Sequence, residues 1–167
     1  MNVPTTIRCR TALPYPPGRV WELLADPVVI EGRTSRHDGL DAVVLAHRVE
    51  GAGWLRIDTK GTMPTSWLPP ILAGRATGRM PSVNRQETWQ RTSAHGLDGW
   101  MTFTIHGVDA ASADGWMRVR TTDRGGELQQ EVTIAVQWPL FGGLIERSLA
   151  GRIHESLAAE GRYLADQ

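Results

Sequence analysis

A change of hydrophobic period near the C-terminus constrains the fold of this chain more than any other sequence feature. Residues 127–138 alternate apolar and polar side chains, which is typical of a half-buried strand. From Leu140 onward the period changes, and apolar residues recur every four positions at Phe141, Ile145, Leu149, Ile153 and Leu157. This spacing predicts a helix of about 25 residues, on the order of 38 Å long. Such a helix must bury its apolar face against another layer.

The residues before this helix predict that the other layer is an antiparallel sheet. Residues 3–12 have the pattern of a first strand, and prolines mark the starts of two short helices over residues 16–25 and 27–35. Six more strands are predicted at 42–50, 54–62, 83–91, 99–107, 115–122 and 127–138. Short turns between successive strands favour a meander. We expect an α+β fold, one domain over residues 1–167, in which a curved sheet of six or seven strands wraps around the C-terminal helix.

Composition argues against several functional classes. The chain has 18 Lys plus Arg and 18 Asp plus Glu, so no overall charge attracts nucleic acid. Cys9 is the only cysteine, which excludes an intramolecular disulfide and a thiolate-rich zinc site, and the five His are scattered. We expect no metal and no cofactor. No apolar run approaches the ~20 residues of a membrane span, and residues 1–6 do not resemble a signal peptide. We therefore expect a cytoplasmic protein without stable membrane insertion.

Two segments resemble a known superfamily. The stretch VWELLADP at residues 20–27, after the first strand, is similar to an opening common in the START/polyketide-cyclase superfamily (SRPBCC), which includes the birch-pollen allergens. The predicted helix over residues 145–164 matches the C-terminal helix of its helix-grip fold. More narrowly, the chain resembles an actinobacterial family of uncharacterised START-like proteins. The resemblance implies a cavity for lipids, sterols, polyketides or plant-type aromatics. The superfamily has no shared catalytic set, so the resemblance assigns none.

Tryptophan is unusually abundant, with seven Trp beside only two Phe and two Tyr. Trp favours positions that are part apolar and part wet, which describes both pocket walls and ordinary core edges. The candidates for walls or rim of a cavity are Trp21, Trp67, Trp100 and Trp116. Residues 63–81 contain four prolines around an apolar set, Trp67, Leu68, Ile71 and Leu72. This segment either covers the cavity mouth or contacts another subunit, or it packs on the core.

The C-terminal helix supplies the other candidate residues. With about 100° per residue and Leu149 at zero, Ile153 and Leu157 lie within about 80° on one face. Ser156, Glu160 and Glu146 fall on the same face, near about −20°, 20° and 60°. A carboxylate on a buried face needs a partner or water. Either glutamate projects into a wet cavity to contact the ligand, or Glu146 is a first-turn charge and Glu160 lies in a frayed end.

Three functions compete at this point. The first is binding or carriage of a small apolar molecule, such as a lipid, sterol or polyketide, without assigned catalysis. The second is a cyclase-type or hydrolase-like enzyme acting in the same cavity, which needs an ionisable group there, and Glu146, Glu160 and His106 are the candidates. The alternation of His106 with Trp100 places it opposite Met101 and therefore on the outside. The third is an interaction module with a filled cavity. We expect a monomer or homodimer.

Overall fold

A computed structural model describes residues 3–35, 41–68, 70, 81–107, 111–137 and 140–167. It confirms the helix-grip α+β fold. The strands are β1 (Thr5–Leu13), β2 (Asp41–Glu50), β3 (Trp54–Thr62), β4 (Ser82–Ser93), β5 (Gly96–His106), β6 (Ala111–Thr122) and β7 (Gly125–Val136). The helices are α1 (Pro17–Ala25), α2 (Pro27–Ser35) and the long α3 (Gly142–Ala165), and short 3-10 turns occur at Gly51–Gly53 and Thr65–Trp67.

The seven strands form one antiparallel sheet in the order β1-β7-β6-β5-β4-β3-β2. Strands β2 to β7 follow each other as a meander, as their short turns predict. Strand β1 pairs with β7, so α1 and α2 carry the chain from one edge of the sheet to the other. The long helix α3 packs chiefly against β1 and β7. It therefore lies over one half of the sheet and leaves space near β4 and β5.

The sheet has an inner face, toward α3, and an outer face. On β5 the inner residues Met101, Phe103 and Ile105 are buried, whereas Trp100 before them and His106 after them are exposed. His106 thus lies outside, as the alternation predicts. Cys9 of β1 is also an inner-face residue. Burial raises the pKa of its thiol, and a hydrogen bond involving Thr11 opposes this only in part.

Contacts near both ends attach α3 to β1, to β7 and to the segment that follows β1. Near its start, Glu146 accepts hydrogen bonds from the Val136 backbone N–H at 2.9 Å and from the Thr5 hydroxyl at 3.3 Å. Near its end, Gly161 lies so close to Thr11 that a Cβ there would overlap the threonine side chain. Beyond it, the Tyr15 hydroxyl donates to the Ala165 carbonyl at 2.8 Å. The helix therefore runs alongside β1 in the same direction, which directs its other flank toward β4.

The strand boundaries in the structure differ most from the predicted ones at the starts of β5 and β6, which the sequence placed at Gly99 and Gly115. β5 begins at Gly96 rather than 99, because residues 96–98 pair with β4 and β6 although they lack a clear apolar alternation. Gly99 lies inside the strand against Trp89, whose ring would overlap a Cβ at that position. β6 likewise begins at Ala111 rather than 115, and β7 ends at Val136. Trp138 and the Pro139 predicted to follow the strand lie outside the described residues.

Candidate functional site

A largely apolar cavity lies between α3 and the inner face of β4 and β5. It measures about 480 Å³ including its open mouth. Leu149, Ile153 and Leu157 of α3 form one wall, and the other lining residues are Met63, Trp67, Val83, Phe103, Ile105, Arg152 and Ser156. We call this cavity the apolar compartment. Its wall repeats every four residues along α3, because one face of the helix is turned toward it.

A second cavity, which we call the polar compartment, measures about 410 Å³ including its open mouth. It lies between α2, strands β2 to β5, and α3. It is lined by Arg33, Thr34, Ala42, Thr59, Gly61, Val83, Arg85, Glu87, Phe103, Ser156 and Glu160. Val83, Phe103 and Ser156 belong to both linings. The two compartments therefore adjoin at these three side chains.

Four charged side chains from three elements form a chain of ion pairs along the polar compartment. Arg33 of α2 donates through Nη2 to both carboxylate oxygens of Glu87, at 2.9 and 3.0 Å. Arg85 places Nη2 2.6 Å from Glu87 Oε1 and donates through Nη1 to Glu160 Oε1 at 2.5 Å. Trp89 Nε1 also donates to Glu87, at 3.0 Å. We call Arg33, Arg85, Glu87 and Glu160 the buried ion network.

The members of the buried ion network are paired with one another away from solvent. Its side chains are between 1% and 10% exposed, so each charge has lost most of its water. Burial works against the charge on Arg85, but Glu160 and Glu87 outweigh it, and the pKa of the guanidinium is raised. Phe103 covers the Arg85 guanidinium, 5.3 Å from the ring centroid. Arg85 therefore stays protonated at the junction of the two compartments.

Six of the side chains singled out in the sequence line these compartments: Trp67, Leu149, Ile153, Ser156, Leu157 and Glu160. The Trp67 carbonyl accepts a hydrogen bond from the Ser148 hydroxyl at 3.0 Å, and Arg152 lies over its ring, 5.7 Å from the centroid. The segment after β3 thus docks onto α3 through Trp67, and Leu68 beside it is buried. Ile71 and Leu72 lie outside the described residues.

Two of the predicted wall residues, Trp100 and Trp116, are corrected by the structure. Both lie on the outer face, because the period of two that turns Met101 and Phe103 inward turns Trp100 outward, and Trp116 pairs directly with Trp100. Trp100 is 47% exposed and stacks on Trp54, with ring centroids 6.4 Å apart. Neither residue can line a cavity on the inner face.

Trp21 and Glu146 also fall outside the two linings. Trp21 is a half-buried residue of α1 that packs against the core cluster. Glu146 is buried, but its carboxylate holds the end of β7 and the start of β1. It therefore joins α3 to the sheet, a role that neither alternative from the sequence described.

Glu160 is a candidate from the sequence that the structure places in a cavity lining. It is 3% exposed, so a frayed helix end is wrong, and its carboxylate lies in the polar compartment. Arg33, Arg85 and Glu87, its partners in the network, were missed. A signal was present for two of them: on a strand, Val83, Arg85, Glu87 and Trp89 share one face, so the two charges stand between apolar neighbours. Charges at buried strand positions indicate a paired network or a site.

Comparison with known proteins agrees with this architecture. A family model described as a protein of unknown function (DUF2505) matches residues 8–166. The chain belongs to that family. No curated protein sequence matches the chain significantly.

Solved structures show the same fold at low sequence identity. The protein TTHA0849 from Thermus thermophilus is 17% identical, with 97% of this chain and 95% of that chain covered and a TM-score of 0.63. The Zhui aromatase/cyclase from Streptomyces sp. R1128 is 12% identical, with 98% and 93% covered and a TM-score of 0.60. Ms6760 from Mycobacterium smegmatis is 15% identical, with 96% and 88% covered and a TM-score of 0.57. At these identities the likeness shows the fold alone, and that fold is the helix-grip fold expected from the sequence.

Proposed function

We propose that this protein binds a small, largely apolar molecule in the two adjoining compartments between α3 and the sheet. The observation that carries the proposal is the apolar compartment itself, which Leu149, Ile153 and Leu157 line on one side and Phe103 and Ile105 on the other. Apolar walls with a few polar groups at one end are typical of small-molecule sites.

The arrangement supports binding before catalysis. Every ionisable group in the described lining of the polar compartment is a member of the buried ion network, and each is engaged by an opposite charge. A general acid or base has to exchange a proton with the substrate, which these pairs oppose. The Zhui protein is an aromatase/cyclase on the same fold. A cyclase-type reaction in this cavity is therefore the second hypothesis, and an interaction module with a filled cavity is the third.

No helix in the described part of the chain is both long enough and apolar enough to cross a bilayer. The proposal includes that the protein acts in the cytoplasm, as a monomer or a homodimer.

Filling the apolar compartment tests the proposal directly. Ile153→Phe adds a ring at a half-buried wall position, so it should remove binding of an apolar molecule while the protein stays folded. Titration of the wild type with sterols and aromatic polyketides, followed by Trp fluorescence, should give at least one saturable curve near micromolar concentration. Trp67 lines the apolar compartment, so its fluorescence should change when a molecule binds there. Trp67→Phe should abolish the signal, and Trp100→Phe on the outer face should keep it.

Leu144→Phe is the matched control for the filling variant. Leu144 is an exposed residue of the same helix, 48% accessible, so the added ring meets solvent and binding should match the wild type. Native mass spectrometry of the purified protein would also reveal a molecule that copurifies with it. The proposal fails if no member of the panel binds the wild type, or if Ile153→Phe binds as the wild type does.

A further inference from the structure

The charges of the described residues that line the polar compartment cancel. Among the described residues that line it, Arg33 and Arg85 carry two positive charges, and Glu87 and Glu160 carry two negative charges. Each charge contacts an opposite one within 3.0 Å. A ligand carboxylate entering this compartment would add a negative charge that no described lining residue is left to neutralise. Burying such a charge is costly.

The network nevertheless offers a hydrogen-bond donor. Nε of Arg85 is buried and has no acceptor among the described residues, although both terminal nitrogens of this guanidinium are engaged by glutamates. A buried N–H without an acceptor is unfavourable, and an oxygen atom brought in by a ligand would relieve it. Arg85 also lies against Phe103, which lines both compartments. A molecule in the apolar compartment that extends past Phe103 would therefore approach Arg85.

We infer that the ligand is an apolar molecule whose inner end is an uncharged oxygen acceptor, such as a ketone, and that carboxylates of the same shape are rejected. This inference rests on the proposed function, since it assigns the chemistry of the ligand's polar end to the polar compartment. The buried ion network is then a selectivity device. It supplies a polar contact through Arg85, while its glutamates balance the two arginines in the described lining.

Three molecules of nearly the same shape separate the possibilities: 2-acetylnaphthalene, 2-naphthoate and 2-isopropenylnaphthalene, which carry a ketone, a carboxylate and no oxygen. Their dissociation constants for the wild type are measured by isothermal titration calorimetry at neutral pH. We expect the ketone to bind at least about tenfold tighter than the carboxylate, and tighter than the hydrocarbon. Binding of the carboxylate as tight as the ketone, or of the hydrocarbon as tight as the ketone, would overturn the inference.

Glu160→Gln tests the mechanism of rejection. The amide keeps the shape and an acceptor for Arg85 but removes one negative charge, so the described lining gains a net charge of +1. The carboxylate should then bind at least about tenfold tighter than it binds the wild type, and the ketone should change much less. Glu22→Gln is the control, because it removes the same charge from an exposed side chain of α1 that pairs with Arg19. It should leave all three affinities unchanged.

The outcomes distinguish the two proposals. If none of the three molecules nor any member of the sterol and polyketide panel binds the wild type, the proposed function fails. If the hydrocarbon and ketone bind equally, the apolar compartment binds ligands but Arg85 does not select them. If Glu160→Gln folds, as judged by circular dichroism and thermal unfolding, and leaves the carboxylate-to-ketone ratio unchanged, the charge argument is wrong. If this variant does not fold, the wild-type ranking alone decides the inference.

Discussion

The inner and outer faces of the sheet carry the same kinds of ion pair in opposite surroundings. On the inner face, Arg85 and Glu160 meet at 2.5 Å with side chains 10% and 3% exposed. On the outer face, Arg8 and Glu131 meet at 2.6 Å with side chains 77% and 23% exposed. The contacts are almost equally long, but only the inner pair has lost its water. The difference teaches that the consequence of breaking a pair depends on burial far more than on contact distance.

The tryptophans show the same contrast. Trp67 lies at the apolar compartment, whereas Trp54, Trp100 and Trp116 lie on the outer face, where Trp116 donates to Glu131 at 3.2 Å and Arg118 covers its ring. A flat aromatic ring serves equally well as a pocket wall and as a cover for a half-exposed strand surface. The excess of Trp in the composition therefore does not by itself indicate a large ligand cavity.

The largest expected effect comes from breaking the buried ion network at its centre. Glu87→Leu removes a carboxylate whose two oxygens both accept hydrogen bonds from Arg33. The same carboxylate is one of the two partners of Arg85. Uncompensated buried charge should lower the free energy of unfolding by about 3 kcal/mol or more. Urea denaturation measures this value. Glu131→Leu, the same change on the outer face, should have a much smaller effect, and equal losses in the two variants would contradict the comparison.

A smaller effect is expected from two glycines of α3 that differ in the same way. A Cβ at Gly161 would overlap Thr11 of β1, whereas a Cβ at Gly151 meets no atom within 4 Å. Gly161→Ala should therefore destabilise the protein by about 1–3 kcal/mol through overpacking. Gly151→Ala should stabilise it by up to about 1 kcal/mol, because alanine favours the helix. Thermal unfolding of the two variants should give shifts of opposite sign, and shifts of the same sign would refute the close approach at Gly161.

The smallest effect concerns the outer pair at acid pH. The hydrogen bond from Arg8 lowers the pKa of Glu131 below its ordinary value of 4.5. A group with a lowered pKa in the folded state stabilises the fold above its unfolded pKa and loses that contribution as pH falls through the folded pKa. Glu131→Gln should therefore make stability slightly less dependent on pH below 4.5, with little change at neutral pH. A large loss at neutral pH would show that this outer pair acts like the inner network.

The hydrophobic period predicts which face of a strand or helix each residue occupies. The wrong assignment of Trp100 departed from that period. The alternation along β5 placed His106 outside and Met101 inside, and the structure confirms both. Trp100 follows from the same alternation, so naming it a cavity wall contradicted the pattern and came from its residue type alone. On α3 the period of four placed Leu149, Ile153 and Leu157 on the buried face together with Glu146 and Glu160.

What the sequence determined by itself was therefore the set of elements and the face that each residue occupies, because both follow from backbone geometry over a few residues. What only the tertiary structure decided was which buried charges meet. Arg33 lies 54 positions from Glu87, and Arg85 lies 75 positions from Glu160. A period tells which way a side chain points but not what another element places opposite it. That partner depends on where α2 and α3 lie across the sheet. The position of α3 places Glu146 where it accepts a hydrogen bond from the end of β7, and it places Glu160 in the polar compartment.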